Sequence, residues 1–278
     1  MHTNPSLAFS KSSSGARPEA LTLETFPELP RLAWYDPCKA AAELLLAVVL
    51  SIVGAPIILL AALAVKLTSK GPILYSQTRL GKNGRPYTIY KLRSMLHNCE
   101  KQSGPCWSTA GDPRITRVGH FLRRSHLDEL PQLWNVLRGD MGLVGPRPER
   151  PEFVPRLAEV FPLYRSRLLV RPGVTGLAQV LLPPDTDLAS VRRKLAYDLY
   201  YVQKTNPWLD FRLLLATGLH VVGISYELVG KVVSLPSDAA IESAYRDLNS
   251  AQGTQTHVEI SLPDTKDTTA KVEMATCV

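Results

Sequence analysis

Twenty-two consecutive residues without a charge, Leu44 to Val65, limit what this chain can become. The run is bounded by Glu43 and Lys66 and is long enough to cross a bilayer as a helix. A buried core helix is the alternative. Two details argue against a plain span. Gly54-Ala55-Pro56 lies at its middle, where proline removes a backbone donor and clashes with the preceding turn, so a break or kink is expected. The limb before it would rise only ~18 Å against a hydrocarbon core of ~30 Å. The flanks are also alike. Lys11, Arg17, Arg31 and Lys39 precede the run, and Lys66, Lys70, Arg79, Lys82 and Arg85 follow it. Such cations prefer the cytoplasmic side, so both ends read as cytoplasmic. A re-entrant hairpin dipping into one leaflet satisfies both facts, provided the backbone groups freed at the bend find partners.

The rest of the chain is large enough for a real core. A net charge of +7 suits an anionic partner without choosing among nucleic acid, membrane surface and phosphorylated substrate. A nucleic-acid binder lacks a reading helix or an aromatic platform here. Cys38, Cys99, Cys106 and Cys277 form no C-x-x-C pair and have no histidines at zinc spacing, so they read as reduced, cytosol-facing thiols. Residues 1–35 read as a disordered arm, 36–70 as the membrane segment, 71–230 as the catalytic domain and 231–278 as a mostly disordered tail. The fold expected is α+β and mainly helical: a re-entrant membrane hairpin, then a compact cytosolic domain with short strands and surface helices.

Between Gly71 and Arg124, ten Lys or Arg residues face two acids, Glu100 and Asp112. That excess is either a solvated or lipid-facing surface or a funnel for phosphates. Short strands are expected around the turn Gly81-Lys82-Asn83-Gly84. Downstream stand two adjacent carboxylates, Asp128 and Glu129. Ser125-x-x-Asp128 also fits a loose helix capping box, with Pro131 in a first turn, so the acids have a structural reading beside the chemical one. Chemically, one carboxylate can attack phosphorus and the other can help hold a divalent cation. Arg123 and Arg147 are placed to pin phosphate oxygens. Prolines on both sides of Arg147 restrict its backbone. Arg171-Pro172-Gly173-Val174-Thr175-Gly176 is a second rigid turn, leading into an apolar run, Leu177 to Leu182, read as a strand. A helix is expected over Leu188 to Lys204, broken by Asn206-Pro207. Trp208 to Val229 reads as an apolar helix, either on the core or at a membrane surface. His220 reads as a packed or surface residue.

Several motifs, in order between Asp36 and Val229, resemble the bacterial sugar transferase family, the monotopic polyprenyl-phosphate phosphoglycosyl transferases. They are the Pro56-interrupted hairpin, Lys91-Leu92-Arg93-Ser94-Met95, Asp128-Glu129-Leu130-Pro131-Gln132-Leu133, Gly145-Pro146-Arg147-Pro148, the Arg171 turn and Tyr197-Asp198-Leu199-Tyr200-Tyr201. The resemblance implies transfer of a phosphosugar from a nucleoside diphosphate sugar, usually a UDP-sugar, to undecaprenyl phosphate, with release of UMP. That reaction would start exopolysaccharide or glycan assembly at the inner leaflet of the bacterial cytoplasmic membrane, beside other assembly enzymes and with no nucleic acid partner. It implies Asp128 as a nucleophile forming a covalent phosphosugar intermediate, and Glu129 as the Mg2+ ligand. Lys91, Arg93, Arg123, Arg147 and Arg171 become phosphate-binding residues. A non-catalytic membrane-anchored scaffold is the alternative from another class. The chain departs from the family pattern at Ala55 and Gly142, where serine is common, and at Leu181-Leu182-Pro183-Pro184, where many members carry Gly-Arg-Asn.

Overall fold

The structure, a computed structural model, describes residues 35–99, 111–183 and 187–253. The first element is one helix of 34 residues, α1 (Tyr35–Thr68), with Pro56 inside it. The expected break at Pro56 is thus absent as an interruption of helix. A proline forfeits one hydrogen bond of the ladder, and the flanking turns carry the helix past it. Nearly all of its large apolar side chains are exposed, among them Ile52, Val53, Leu59 and Leu60, each 65–71% accessible. It buries Tyr35, Glu43, Ala47 and Gly54 before the proline, and Ala61 and Val65 after it. Ala47 joins the main core, and Ala61 and Val65 pack with Leu92 and Leu122. Both limbs therefore dock on the same globular body.

Strands β1 (Leu74–Leu80) and β2 (Pro86–Leu92) form the expected antiparallel hairpin. Its turn works because Asn83 and Gly84 take positive φ, 58° and 70°, the conformation these residue types tolerate best. Helix α2 (Arg117–Arg124) follows, capped by Thr116. The acids then lie on a 3-10 turn, Leu127–Gln132, entered through His126 at φ 56°. Ser125 does not form the expected capping box. Its hydroxyl bonds backwards to the carbonyls of Phe121 and Leu122, closing α2 instead. Helix α3 (Leu133–Leu137) continues from the turn.

Strand β3 (Gly142–Val144) pairs in parallel with β4 (Gly173–Thr175). The pairing explains two of the glycine motifs. A side chain at Gly173 would place its Cβ 2.1 Å from the Gly145 nitrogen, so the two turns meet backbone to backbone. Between them run α4 (Val154–Val160) and a 3-10 segment, Pro162–Leu169. The Leu177 to Leu182 run, expected as a strand, is instead a short helix, α5 (Leu177–Leu181). An apolar run of six cannot reveal its own period, and Gly176 at its start supplies a helix boundary rather than a strand end.

Helix α6 (Leu188–Lys204) occupies the expected span, opened by a reciprocal capping box between Asp187 and Ser190. The apolar stretch after it divides into α7 (Pro207–Val221) and α8 (Tyr226–Val232), separated near Gly223 at φ 90°. Helix α7 packs on the core by one side, the first of the two alternatives. Leu209, Leu213 and Ala216 join the core, while Trp208, Phe211 and Leu215 face outward. His220 uses Nδ1 against the Ile224 carbonyl, as a packed residue would. The region expected to be a mostly disordered tail carries α9 (Asp238–Gly253), whose Ile241, Tyr245 and Leu248 complete the core. The expected disorder of residues 1–34 and 254–278 falls outside the described residues.

Candidate active site

A cleft of about 700 Å³ opens between the β1–β2 hairpin, the acid-bearing turn and the segment Arg147–Phe153. Asp128, Lys91, Arg93, Arg123 and Arg147 all line it. Asp128 is buried, 6% accessible. Burial, and then the neighbouring Glu129 charge, raise its pKa above the usual aspartate value. Glu129 has the opposite environment. Its Oε1 accepts from Lys91 Nζ at 2.6 Å and from Arg147 Nη2 at 2.8 Å. Burial alone would push its carboxyl up, but those two cations outweigh it and hold Glu129 well below the ordinary range. Two adjacent acids are thus driven apart, one firmly ionised and one closer to titration.

The turn earns this arrangement from its neighbours. Asn135, fully buried, accepts from the Tyr90 backbone N–H at 3.2 Å and donates to the Thr88 carbonyl at 2.7 Å. That fastens α3 to β2 and sets Lys91 opposite Glu129. Arg147 is fixed from its other side. Arg167 Nη2 donates to the Arg147 carbonyl at 2.9 Å and to Asp198 at 2.6 Å. Sequence reading gave no role to Asn135, Arg167 or Glu149, and took Arg79 only as one of the ten basic residues of the possible phosphate funnel and Lys194 only as part of a basic helix face. An amide inside the apolar run Leu133-Trp134-Asn135-Val136-Leu137 was the one local signal. Asp198 stood in a quoted motif with no role attached.

Arg123 donates from Nε to Ser94 Oγ at 3.0 Å and stays on the cleft wall. Arg93 is only 4% accessible and donates to the Ser69 carbonyl and hydroxyl, 2.8 and 2.7 Å away, at the end of α1. Arg171 departs from its expected place. The turn carrying it docks by its backbone, with Gly142 N–H on the Pro172 carbonyl at 2.8 Å. The Arg171 side chain instead lines a separate recess with Lys82, Arg85 and Asp140.

The profile of the bacterial sugar transferase family matches residues 34–223, which include every residue of this cleft. The chain belongs to the bacterial sugar transferase family. It is 44% identical over 207 residues to a UDP-glucose:undecaprenyl-phosphate glucose-1-phosphate transferase of Caulobacter vibrioides, covering 73% of this chain and 76% of that protein. An Aeromonas hydrophila UDP-N-acetylgalactosamine-undecaprenyl-phosphate N-acetylgalactosaminephosphotransferase is 42% identical over 179 residues, 64% of this chain. A UDP-glucose:undecaprenyl-phosphate glucose-1-phosphate transferase of Escherichia coli is 39% identical over 181 residues, also 64% of this chain. The chain spans only 42% of the Aeromonas protein and 39% of the Escherichia one.

In this member of the family no group of three His, Cys, Asp or Glu side chains gathers among the described residues. Magnesium does not require one, since it is commonly held by one or two carboxylates together with substrate phosphates and water. The donors fit that pattern. Both short contacts to Glu129 fall on Oε1, while Oε2 meets only Arg147 Nη1 at 3.5 Å.

Proposed function

We propose that this protein transfers a sugar phosphate from a UDP-sugar to undecaprenyl phosphate, releases UMP, and so begins exopolysaccharide or glycan assembly. The observation that carries the reading is Asp128, buried in a basic cleft beside a carboxylate clamped by Lys91 and Arg147. The names of the relatives supply the two substrates.

In the first step a carboxylate oxygen of Asp128 attacks the phosphorus that bears the sugar. The bond from that phosphorus to the bridging oxygen breaks, and UMP leaves with the electron pair. In the second, a phosphate oxygen of the lipid attacks the same phosphorus and frees the Asp128 carboxylate. Such displacement needs positioning and charge neutralisation more than a strong base. Arg147 and Arg123 supply fixed guanidinium charge, and Lys91 holds Glu129 ionised. Mg2+ bound through Glu129 would neutralise charge on the diphosphate.

The acceptor lipid stays in the bilayer, because each buried methylene contributes about 0.8 kcal/mol. The exposed apolar surface of α1, with both of its limbs docked on the same body, supports a re-entrant helix seated in one leaflet. Helix α7, bonded to the start of α1 through Tyr35 and Lys39 on Asp210, adds the exposed Trp208, Phe211 and Leu215. The catalytic body then lies on the cytosolic face of the inner membrane, where UDP-sugars are found. The test is Mg2+-dependent UMP release across a panel of UDP-sugars with undecaprenyl phosphate. Release should vanish in Asp128→Asn, and a radiolabelled sugar phosphate should be trapped on the wild-type protein alone. Full release by Asp128→Asn would remove Asp128 from the nucleophile's role.

A further inference from the structure

One carboxylate in the cleft has no part in the displacement. Glu149 lines the same cavity as Asp128, two residues beyond Arg147. The surrounding wall is cationic, with Arg79, Lys91, Arg123, Arg147, Arg150 and Lys194. Burial pushes the Glu149 carboxyl up, but Lys194, Arg167 and Arg79 together hold it below the usual carboxylate range, so it stays an anion. An ionised carboxylate only accepts hydrogen bonds, and it repels phosphate. Its natural ligands in a cleft for a nucleotide sugar are therefore hydroxyl groups, the donor-bearing part of the molecule that carries no charge.

The carboxylate has capacity to spare. One contact is of ordinary length, Oε1 to the Arg150 backbone N–H at 3.1 Å, and three are long: Oε1 to Arg79 at 3.6 Å, Oε2 to Tyr164 at 3.3 Å and to Arg167 at 3.6 Å. Two carboxylate oxygens offer about four lone-pair sites, and bonds this long leave room for shorter ones. Its position is fixed as well. The Glu149 carbonyl accepts from Leu80 N–H at 3.0 Å, and the Arg147 carbonyl is held by Arg167 at 2.9 Å. Arg147 precedes a proline and is biased to extended backbone. Residues two apart in extended chain are separated by about 6–7 Å on one face. Arg167 meets both the Arg147 carbonyl, at 2.9 Å, and the Glu149 carboxylate, at 3.6 Å, so Glu149 is held beside the arginine proposed to meet the phosphates.

We propose that Glu149 accepts hydrogen bonds from ring hydroxyls of the donor, on its ribose or its hexose, and is a specificity-determining residue of the cleft. This rests on the UDP-sugar reading above. The test compares kcat/KM for UMP release with a parent UDP-sugar, its 2′- and 3′-deoxyribose analogues, and its deoxyhexose analogues, in wild type and Glu149→Gln. Wild type should lose about 10- to 100-fold on at least one deoxy donor, the penalty for a missing bond to a charged acceptor. Glu149→Gln should lose less than about threefold on that same donor, because the bond is already weakened. The ring whose analogue shows the effect identifies the contact. A residue that merely bridges Arg79 and Arg167 would slow all donors alike and leave the ratios intact. Unchanged ratios, or no penalty with any deoxy donor in wild type, overturn the proposal while leaving the transferase reading in place. Wild type that releases no UMP from any UDP-sugar overturns both. If Glu149→Gln shows no cooperative melting, Glu149→Asp, which keeps the charge but withdraws it by one methylene, is held to the same criterion.

Discussion

The pair Arg167–Asp198 separates stability from catalysis. The two side chains are each 2% accessible and meet at 2.6 Å. Removing one member of a buried pair leaves the other charge uncompensated, which costs about 3–5 kcal/mol. In Asp198→Ala, Arg167 keeps Tyr164 at 2.8 Å and Glu149 at 3.6 Å, so the low end, about 3 kcal/mol, is expected. For a body of this size that lowers Tm by roughly 6–12 °C in detergent micelles. The double variant Asp198→Leu with Arg167→Met removes both charges and fills the space with apolar groups. It should be more stable than the sum of the single effects by about 1–3 kcal/mol. Its activity should not recover in step. Arg167 also holds the Arg147 carbonyl, and a displacement of about 1 Å at a positioning group can slow turnover about 100-fold. Thermal scans and UMP-release rates on wild type, Asp198→Leu, Arg167→Met and the double variant decide it. Strict additivity in Tm, or a double variant that regains the full rate, would refute the reasoning.

Three further outcomes are expected. In the proposed reaction Asp128 attacks as a carboxylate; its pKa is raised, so kcat/KM should fall as pH drops through a value above that of an ordinary aspartate. Lys91 is one of the cations opposing that rise, so Lys91→Met should move the acid limb to higher pH, and an unmoved limb counts against Asp128. Cys38 is exposed near the start of α1; with the other cysteines changed to serine, it and an introduced Thr68→Cys should both react with an impermeant maleimide in inverted vesicles and not in spheroplasts. Labelling from opposite faces would mean a full span. Glu43→Ala leaves the buried Val144 N–H, now bonded to Glu43 at 3.0 Å, without its acceptor, a loss of about 1–3 kcal/mol; an unchanged Tm would show that the contact contributes nothing.

What the sequence disclosed was local, and the reasons are physical. The hairpin was legible because Asn83-Gly84 is a turn wherever it stands between alternating strands. Helix α6 was legible because a stop signal, Asn206-Pro207, follows a long periodic stretch. Helix α9 carried a signal of the same kind in Ile241, Tyr245 and Leu248, spaced for one helix face, but the polar composition around them hid it. Leu177 to Leu182 was too short to show a period. Ser125 matched a capping pattern, yet the left-handed conformation of His126 turned the chain into a 3-10 segment and left that hydroxyl facing the previous helix. The acids and Arg147 stood out in the sequence because adjacent carboxylates and a proline-flanked arginine are local patterns. Arg171 was misplaced because its motif serves the backbone contact with Gly145.

The residues that give those charges their geometry lie far away in the chain, and their arrangement ties the site to the apolar helix α1. Glu43, in the first limb of α1, accepts from Val144 at 3.0 Å, three residues before Arg147. Ser69, just past the other end of α1, accepts from Arg93 at 2.7 Å, two residues after Lys91. Arg147 and Lys91 are the two cations that close on Glu129. Each end of the apolar helix is therefore bonded to the segment that delivers one jaw of the clamp. A tilt or shift of α1 cannot leave both jaws in register, because the segments involved are short and the cores they enter are close-packed. The seating of α1 on the body and the placing of the two cations around Glu129 rest on the same contacts. That is why a helix with so little sequence complexity is fixed to the catalytic body by buried polar bonds, where apolar packing alone would have held it without fixing its register.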